Sequence, residues 1–303
     1  MRILITGGAG FIGSHLCKRL SEKNEVVCMD NLLTGKKSNI DGLNVEFLEQ
    51  DITEPFDVNA DLVFNMASPA SPVFYQKYPL ETLETNSAGI KNVLENARKY
   101  NAKVVQASTS EVYGDPKLHP QPETYWGNVN PIGPRSCYDE GKRFAESLCM
   151  NYHTKYEVDV VLARIFNTYG PNMLKKDGRV VPNFICQALK NEKISVYGNG
   201  EQTRSFCYAD DLVEGLVLLS EKGRGGEVYN LGNPREYTIL QLAEQVKEAC
   251  NSSSEIDYRG LPEDDPIKRK PDIAKVISET GWNPKVELKE GLSRTVEWFR
   301  GVC

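Results

Sequence analysis

Glycines at 7, 10 and 13, an aspartate at 30, and a tyrosine and lysine at 138 and 142 are the residues whose types and spacing first suggest chemistry. The loop Gly7-Gly8-Ala9-Gly10-Phe11-Ile12-Gly13 follows a run of branched apolar residues and opens an amphipathic segment. Glycines so spaced allow a tight turn, bring backbone up to a pyrophosphate, and let a helix pack on a strand. The N–H groups of the first helical turn then face the anion. Asp30 closes the second apolar run, seventeen residues after Gly13. A carboxylate there hydrogen-bonds ribose hydroxyls and repels a 2′-phosphate, which points to NAD in preference to NADP. Asp51, after the third run, is a candidate for the adenine edge; an ordinary solvated turn is its plain alternative.

Tyr138-Asp139-Glu140-Gly141-Lys142 sets a phenol and an ammonium one helical turn apart on the same face. A nearby ammonium is expected to lower the phenol pKa and make Tyr138 a base near neutral pH. The spacing alone is weak. It gains weight from Ser108-Thr109-Ser110-Glu111, which follows the fifth apolar run and so falls at the carboxyl edge of a sheet. A hydroxyl, a phenol and an ammonium near a nicotinamide suit removal of a hydroxyl proton as hydride leaves the same carbon.

These residues need a frame. Short apolar runs at 2–6, 25–29, 45–50, 62–66, 103–107 and 160–166 alternate with helical patterns, the longest at 80–100 and 136–155. Such alternation predicts a Rossmann-type, doubly wound parallel sheet covered by helices. After Pro171 the pattern loosens into short strands, helices and loops rich in Gly, Pro and Asp, such as 198–203 and 262–271. We expect an NAD-binding domain over 1–170, with later segments returning to it, and a smaller α/β lobe over 171–303 that mainly binds substrate. The ligand cleft would lie between them, at the carboxyl ends of the strands.

With 303 residues, 40% hydrophobic and 26% charged, the chain is an ordinary globular sequence. A net charge of -6 gives no reason to expect a nucleic-acid partner. Eight scattered cysteines, none in a Cys-x-x-Cys pair, read as reduced thiols. Three dispersed histidines argue against a metal site. Met1 leads directly into the first strand with no apolar leader, and no window is apolar enough to span a bilayer. A cytoplasmic protein with no membrane partner is the expectation.

Several longer strings narrow the reading. They include Ala67-Ser68-Pro69-Ala70-Ser71-Pro72, Ser108-Thr109-Ser110-Glu111-Val112-Tyr113-Gly114-Asp115-Pro116 and Arg164-Ile165-Phe166-Asn167-Thr168-Tyr169-Gly170-Pro171. Asp177-Gly178-Arg179-Val180-Val181, Gln202-Thr203-Arg204-Ser205-Phe206 and Asp264-Asp265-Pro266 with Lys268-Arg269-Lys270-Pro271 continue them. With the glycine loop and the Tyr-x-x-x-Lys pair, the chain resembles the UDP-glucuronate decarboxylase (UDP-xylose synthase) family of extended short-chain dehydrogenases over nearly its whole length. One departure is Asn65-Met66, where members often have His-Leu.

The resemblance implies conversion of UDP-glucuronate to UDP-xylose and carbon dioxide, with NAD regenerated in each cycle. It implies Thr109, Glu111, Tyr138 and Lys142 as catalytic residues, Glu111 orienting a water or supplying the proton returned to C5. The cofactor shell would comprise Gly7, Gly10, Phe11, Ile12, Gly13, Asp30, Asn31, Thr34, Gly35, Asp51, Ile52, Met66, Ser68 and Thr85, with Tyr138 and Lys142. Tyr75, Asn167, Thr168, Arg179, Arg204 and Arg269 would meet the nucleotide sugar, the arginines as phosphate-side cations. A homodimer through segments 80–100 and 136–155 is also implied. Competing readings are a UDP-hexose 4-epimerase, a nucleotide-sugar 4,6-dehydratase and a non-enzymatic NAD-binding regulator. Glu111 and the Ala67-to-Pro72 string argue against the first. Ser110, where dehydratases carry an acidic Asp, argues against the second. The intact Thr109, Tyr138 and Lys142 set argues against the third.

Overall fold

Alternating burial along the first strands dictates the sheet. Ile3 and Ile5 pack on one side with Val26, Cys28, Phe64 and Val105, while Leu4 packs on the other with Val27, Val63 and Val104. Strands apolar on both faces require helices on both faces. In the computed structural model, which describes residues 1–260 and 268–303, the runs form β1 (Arg2–Thr6), β2 (Glu25–Asp30), β3 (Glu46–Glu49), β4 (Leu62–Asn65), β5 (Lys103–Thr109) and β6 (Val160–Ile165). Short strands follow: β7 (Thr168–Tyr169), β8 (Ile194–Tyr197), β9 (Thr203–Ser205) and β10 (Cys207–Tyr208). Then β11 (Val228–Leu231) returns to the large sheet, whose order is β11-β6-β5-β4-β1-β2-β3. All of its pairings are parallel. The chain reverses its direction of travel between β1 and β4, and a crevice opens at such a point beyond the strand ends.

Helix α1 (Phe11–Leu20) leaves the glycine loop, and α2 (Pro72–Lys77) follows the Ala67-to-Pro72 string. The segment expected as one helix over 80–100 is three pieces: α3 (Pro79–Glu84), a π turn at Thr85–Gly89, and α4 (Ile90–Tyr100). The wider turn fits a tight spot, since a Cβ on Gly89 would meet the Ile52 side chain at 2.8 Å. Helix α5 (Ser136–Tyr156) runs 21 residues beside α4.

The lobe adds α6 (Val180–Leu189), α7 (Ala209–Lys222), β12 (Glu236–Thr238), α8 (Ile239–Cys250), β13 (Ile256–Arg259), β14 (Lys268–Arg269), α9 (Ala274–Thr280) and α10 (Leu288–Arg300). Its own core gathers Phe184, Ile194, Val196, Leu242, Val246, Leu292 and Phe299. Helix α7 and Trp282 instead belong to the sheet's core, so the lobe and the sheet are interlaced.

The expectation that all cysteines are reduced needs correcting. Cys186 on α6 and the terminal Cys303 are disulfide-bonded, because the lobe core brings their Cα atoms within 5.9 Å across 117 residues. The other six are free. The expected string Asp264-Asp265-Pro266 lies outside the described residues. Among the described residues no helix is long and apolar enough to cross a membrane, and no cluster of His, Cys, Asp or Glu could hold a metal ion.

Candidate active site

A cavity of about 560 Å³ runs along the carboxyl ends of the strands. At one end the first βα turn is built for backbone approach. Gly7 has φ +66°, and a Cβ there would lie 2.8 Å from Ala67 backbone; one on Gly13 would lie 2.1 Å from the Gly7 carbonyl oxygen. Gly10 caps α1, so free N–H groups of the first turn open to the cavity. Asp30 is buried at the end of β2 and accepts N–H bonds from Ala9 (3.0 Å) and Leu32 (2.8 Å). Burial pushes its carboxyl up, against those bonds. A Cβ on Gly35 would stand 2.8 Å from both Asp30 carboxylate oxygens, so glycine lets the following loop close over the acid. Asn31 donates to Asp51 at 2.7 Å, and Thr53 donates to the other oxygen through N–H (2.8 Å) and hydroxyl (2.7 Å). Burial would raise Asp51, but these bonds outweigh it and hold the carboxyl low. The cradle that added Cβ atoms would fill, and the carboxylate beside it, fit an adenine dinucleotide.

Every cofactor candidate read from the sequence lines this cavity except Gly35, which stands behind Asp30. The catalytic and substrate candidates line it too. Residues from both ends of the chain thus meet in one cleft.

At the middle, Tyr138 and Lys142 reach in from α5. The Tyr138 ring stacks on Tyr75 with centroids 5.1 Å apart and planes 8° from parallel. Thr109, the last residue of β5, stands beside the Tyr138 hydroxyl and accepts the Glu111 N–H at 3.2 Å. The expected lowering of the Tyr138 pKa by Lys142 is not what the structure gives. Burial drives the phenol up, with the nearby Thr109 hydroxyl and the Arg179 charge opposing. The Lys142 Nζ stands 5.9 Å from the ring centroid and donates instead to the Ala107 carbonyl at 3.0 Å. Burial pulls that ammonium down to about 8, with Cys149 and Glu146 opposing. Helical spacing puts the two groups on one face; it says nothing of their separation or burial.

Glu111 is clamped. Arg135 Nη2 donates to Oε2 at 2.6 Å and Arg269 Nη1 donates to Oε1 at 3.0 Å. Burial would raise this carboxyl, but Arg269 and Arg135 hold it at about 2. It is ionised at neutral pH, a hydrogen-bond acceptor and not a proton donor. Arg269, expected on the phosphate side, lines the cavity and is held from behind. It is fully buried, and its guanidinium is tied to Glu111, to Ser110 Oγ (2.8 Å) and to the Gly114 carbonyl (2.8 Å), so it braces the turn after β5. Sequence reasoning missed Arg135, three residues before Tyr138. Its one signal was a cation a helical turn before the acid-facing side of α5. It also missed Asp139, whose buried carboxyl is pushed up to about 7 by burial and by Glu111, against Arg135 and Arg269.

Toward the lobe, Tyr75 is 1% exposed and its hydroxyl has no hydrogen-bond partner although it lines the cavity. The Thr168 hydroxyl donates back to the Phe166 carbonyl at 2.9 Å, leaving its oxygen as an acceptor. Arg179 precedes α6, pairs with Asp177 (Nη2 to Oδ2, 2.6 Å) and lies over the Phe11 ring. Arg204 sits on β9 between Tyr237 of β12 and Arg269 of β14, donating to the Thr203 carbonyl at 3.0 Å. Asn167 lies in the turn between β6 and β7 and also lines the cavity.

Comparison with known proteins adds the following. Residues 3–232 match the NAD dependent epimerase/dehydratase family. UDP-glucuronic acid decarboxylase 3 of Arabidopsis thaliana is 53% identical over 306 residues, covering 99% of this chain and 89% of the relative. UDP-glucuronic acid decarboxylase 1 of Xenopus tropicalis is 51% identical over 304 residues, with 99% and 72% covered. Among solved structures, a UDP-glucose 4-epimerase of Thermotoga maritima with UDP-glucose superposes at TM-score 0.91 with 34% identity, covering 99% of each chain. A dTDP-glucose 4,6-dehydratase of Streptomyces venezuelae with NAD superposes at 0.88 with 27% identity, covering 100% of this chain and 98% of that one.

Proposed function

The chain belongs to the NAD dependent epimerase/dehydratase family, among the UDP-glucuronic acid decarboxylases, and from that premise we propose that it converts UDP-glucuronate to UDP-xylose and carbon dioxide. NAD, held along the glycine loop and Asp30, supplies the hydride acceptor for C4 and the donor that later restores it. Tyr138 takes the proton of the C4 hydroxyl as a phenolate, a form that the positive charge of bound NAD would have to favour against the burial that drives its phenol up, with Thr109 sharing that oxygen. Once C4 is a ketone, the C5 carboxylate is β to a carbonyl and leaves as carbon dioxide, its bonding electrons passing into the ketone as an enolate. Thr109 and Tyr138 hydrogen-bond the oxygen on which charge gathers. Glu111, ionised between its two arginines, orients the water that returns a proton to C5. Of the two roles considered for it, orienting a water suits a carboxyl that two arginines hold low. Tyr138 then protonates the C4 oxygen as the alcohol is restored.

The observation that carries this reading is the pairing of Arg135 and Arg269 on Glu111 beside Thr109 and Tyr138. It offers cationic surroundings to a sugar with an acid at C5, which a neutral hexose would not need. We assign Arg204 and Arg179 to the diphosphate, Asn167 and Thr168 to sugar or diphosphate hydrogen bonds, Tyr75 to the sugar, and Lys142 to the nicotinamide ribose. Arg suits phosphate through bidentate bonds. Residues 171–303 would serve mainly as the nucleotide-sugar lobe.

We further propose a cytoplasmic homodimer. The exposed Leu80 and Leu83 of α3 and Phe144 of α5 give these adjoining helices an apolar outer face suited to a second copy. The test of function is incubation with UDP-glucuronate and NAD, with products identified by mass spectrometry and proton NMR. UDP-xylose and carbon dioxide with no net NADH is the expected result. Epimerisation or dehydration of a neutral nucleotide sugar, with UDP-glucuronate untouched, would remove the decarboxylase reading.

A further inference from the structure

Below the cavity floor three polar side chains lie side by side in the most buried part of the sheet. Thr6, Asn65 and Gln106 are cross-strand neighbours on β1, β4 and β5, and each is no more than 1% exposed. Polar groups this deep are costly unless bonded. Here they are bonded in series. The Thr6 hydroxyl donates to Asn65 Oδ1. Asn65 Nδ2 donates to Gln106 Oε1 at 2.7 Å. Gln106 Nε2 donates to the Ala107 carbonyl at 2.9 Å. That carbonyl is also the acceptor for Lys142 Nζ.

A single group fixes the direction of the whole series. The Ala107 carbonyl can only accept, so Gln106 must turn its nitrogen toward it. Gln106 then offers its oxygen to Asn65, which must answer with nitrogen, and Asn65 offers its oxygen to Thr6, whose hydroxyl must donate. Aligned amides reinforce one another, and each acceptor becomes a better donor to the next. One end of the series is the strand end that leads into Gly7; the other is the ammonium beside Tyr138. Neither Asn65 nor Gln106 lines the cavity.

We propose that Thr6, Asn65 and Gln106 are positioning residues: they hold the Ala107 carbonyl so that the Lys142 ammonium is fixed relative to Tyr138 and the cofactor loop. This rests on the assignment of Lys142 made above. The charged and titratable groups around Lys142 are Tyr138, Glu146 and Cys149 of its own helix, and the Glu146 charge is held by Arg164 from β6 and by Ser108 from β5. The ammonium therefore meets the series at one shared acceptor, the Ala107 carbonyl, which Gln106 engages from the sheet side.

The experiment compares Gln106→Met, Asn65→Asp and Thr6→Val with the unaltered protein. It measures kcat, KM and NAD affinity from pH 5.5 to 9, alongside thermal unfolding. Gln106→Met keeps the volume and cuts the series off from the Ala107 carbonyl, and is expected to lower kcat roughly ten- to a hundredfold, shift its pH profile, weaken NAD severalfold and leave the UDP-glucuronate KM within about twofold. Asn65→Asp keeps the shape but faces an acceptor with an acceptor. It should lose more activity than Gln106→Met at neutral pH and recover toward acid, where the protonated acid regains the donor. Thr6→Val, the mildest change, covers the case in which Asn65→Asp does not fold, and should lower kcat least. Altered melting temperatures with kcat, NAD affinity and pH profiles all unchanged would overturn the proposal and leave the series a packing feature. If the unaltered protein does not act on UDP-glucuronate, the decarboxylase reading fails by itself. NAD affinity across the variants still decides the series: severalfold weakening in Gln106→Met supports it and unchanged binding overturns it.

Discussion

The two ends of the cavity are made by different means. The end we assign to adenosine is backbone: a turn whose glycines touch carbonyls and Ala67, and one buried carboxylate, all within the first 67 residues. The end we assign to the sugar is side chains that arrive from far apart, Glu111 after β5, Arg135 before α5, Arg204 on β9 and Arg269 on β14. A backbone site has no side chain to exchange and fails outright when a Cβ intrudes. A side-chain site can be retuned one group at a time while the fold stays. That difference explains how proteins that superpose closely on this chain can be called epimerases and dehydratases while sharing about a third of its sequence or less.

Four changes would break or sharpen this contrast. The largest effect is expected from Gly13→Ala, whose methyl would stand 2.1 Å from the Gly7 carbonyl. Titration calorimetry should show NAD binding lost by more than about a hundredfold, roughly 3 kcal/mol, and residual tight binding would mean the turn can yield. Next is Glu111→Gln, which keeps shape but removes the charge that two arginines face. Single-turnover rates should fall roughly a hundredfold or more while NAD affinity holds. Arg204→Met should follow, raising the UDP-glucuronate KM by about tenfold and leaving NAD binding alone; a fall in kcat instead would move Arg204 to the reacting centre.

The smallest effect concerns stability. The folded Asp139 carboxyl is raised to about 7 from an ordinary 3.8, so the folded state holds a proton that the unfolded state gives up. Its ionisation therefore costs stability progressively as pH rises from about 4 to 7, reaching a few kcal/mol at most. Asp139→Asn should match the unaltered protein near pH 4 and be more stable above pH 7 in urea titrations. Equal stability at both pH values would show the carboxyl to be better solvated than its burial indicates.

The same contrast governs what could be read in the sequence. The first six strands were legible because each is an uninterrupted apolar run bounded by turn residues, and β1 spans 2–6 as read. The glycine loop was legible because backbone sites need contiguous sequence. Val228–Leu231 was not, being four residues whose partner strand lies more than 60 residues earlier. Arg135 escaped because only folding brings it to Glu111, and the contact of Arg269 with Glu111 escaped because a string of residues does not say where its guanidinium ends. The Tyr138–Lys142 spacing was right, but the sign of the phenol shift depends on burial, which spacing does not carry. The Cys186–Cys303 bond joins residues with no local pattern at all.

The late return of β11 bears on how the protein is made. Its parallel partner β6 is complete at residue 165, yet the strand that covers its outer edge ends only at residue 231. While the chain emerges from the ribosome, six strands can assemble with an apolar, hydrogen-bond-hungry border standing open. Such borders recruit other chains. A chain ending near residue 170 would thus leave that border unpaired, and it is expected to aggregate where the full chain does not.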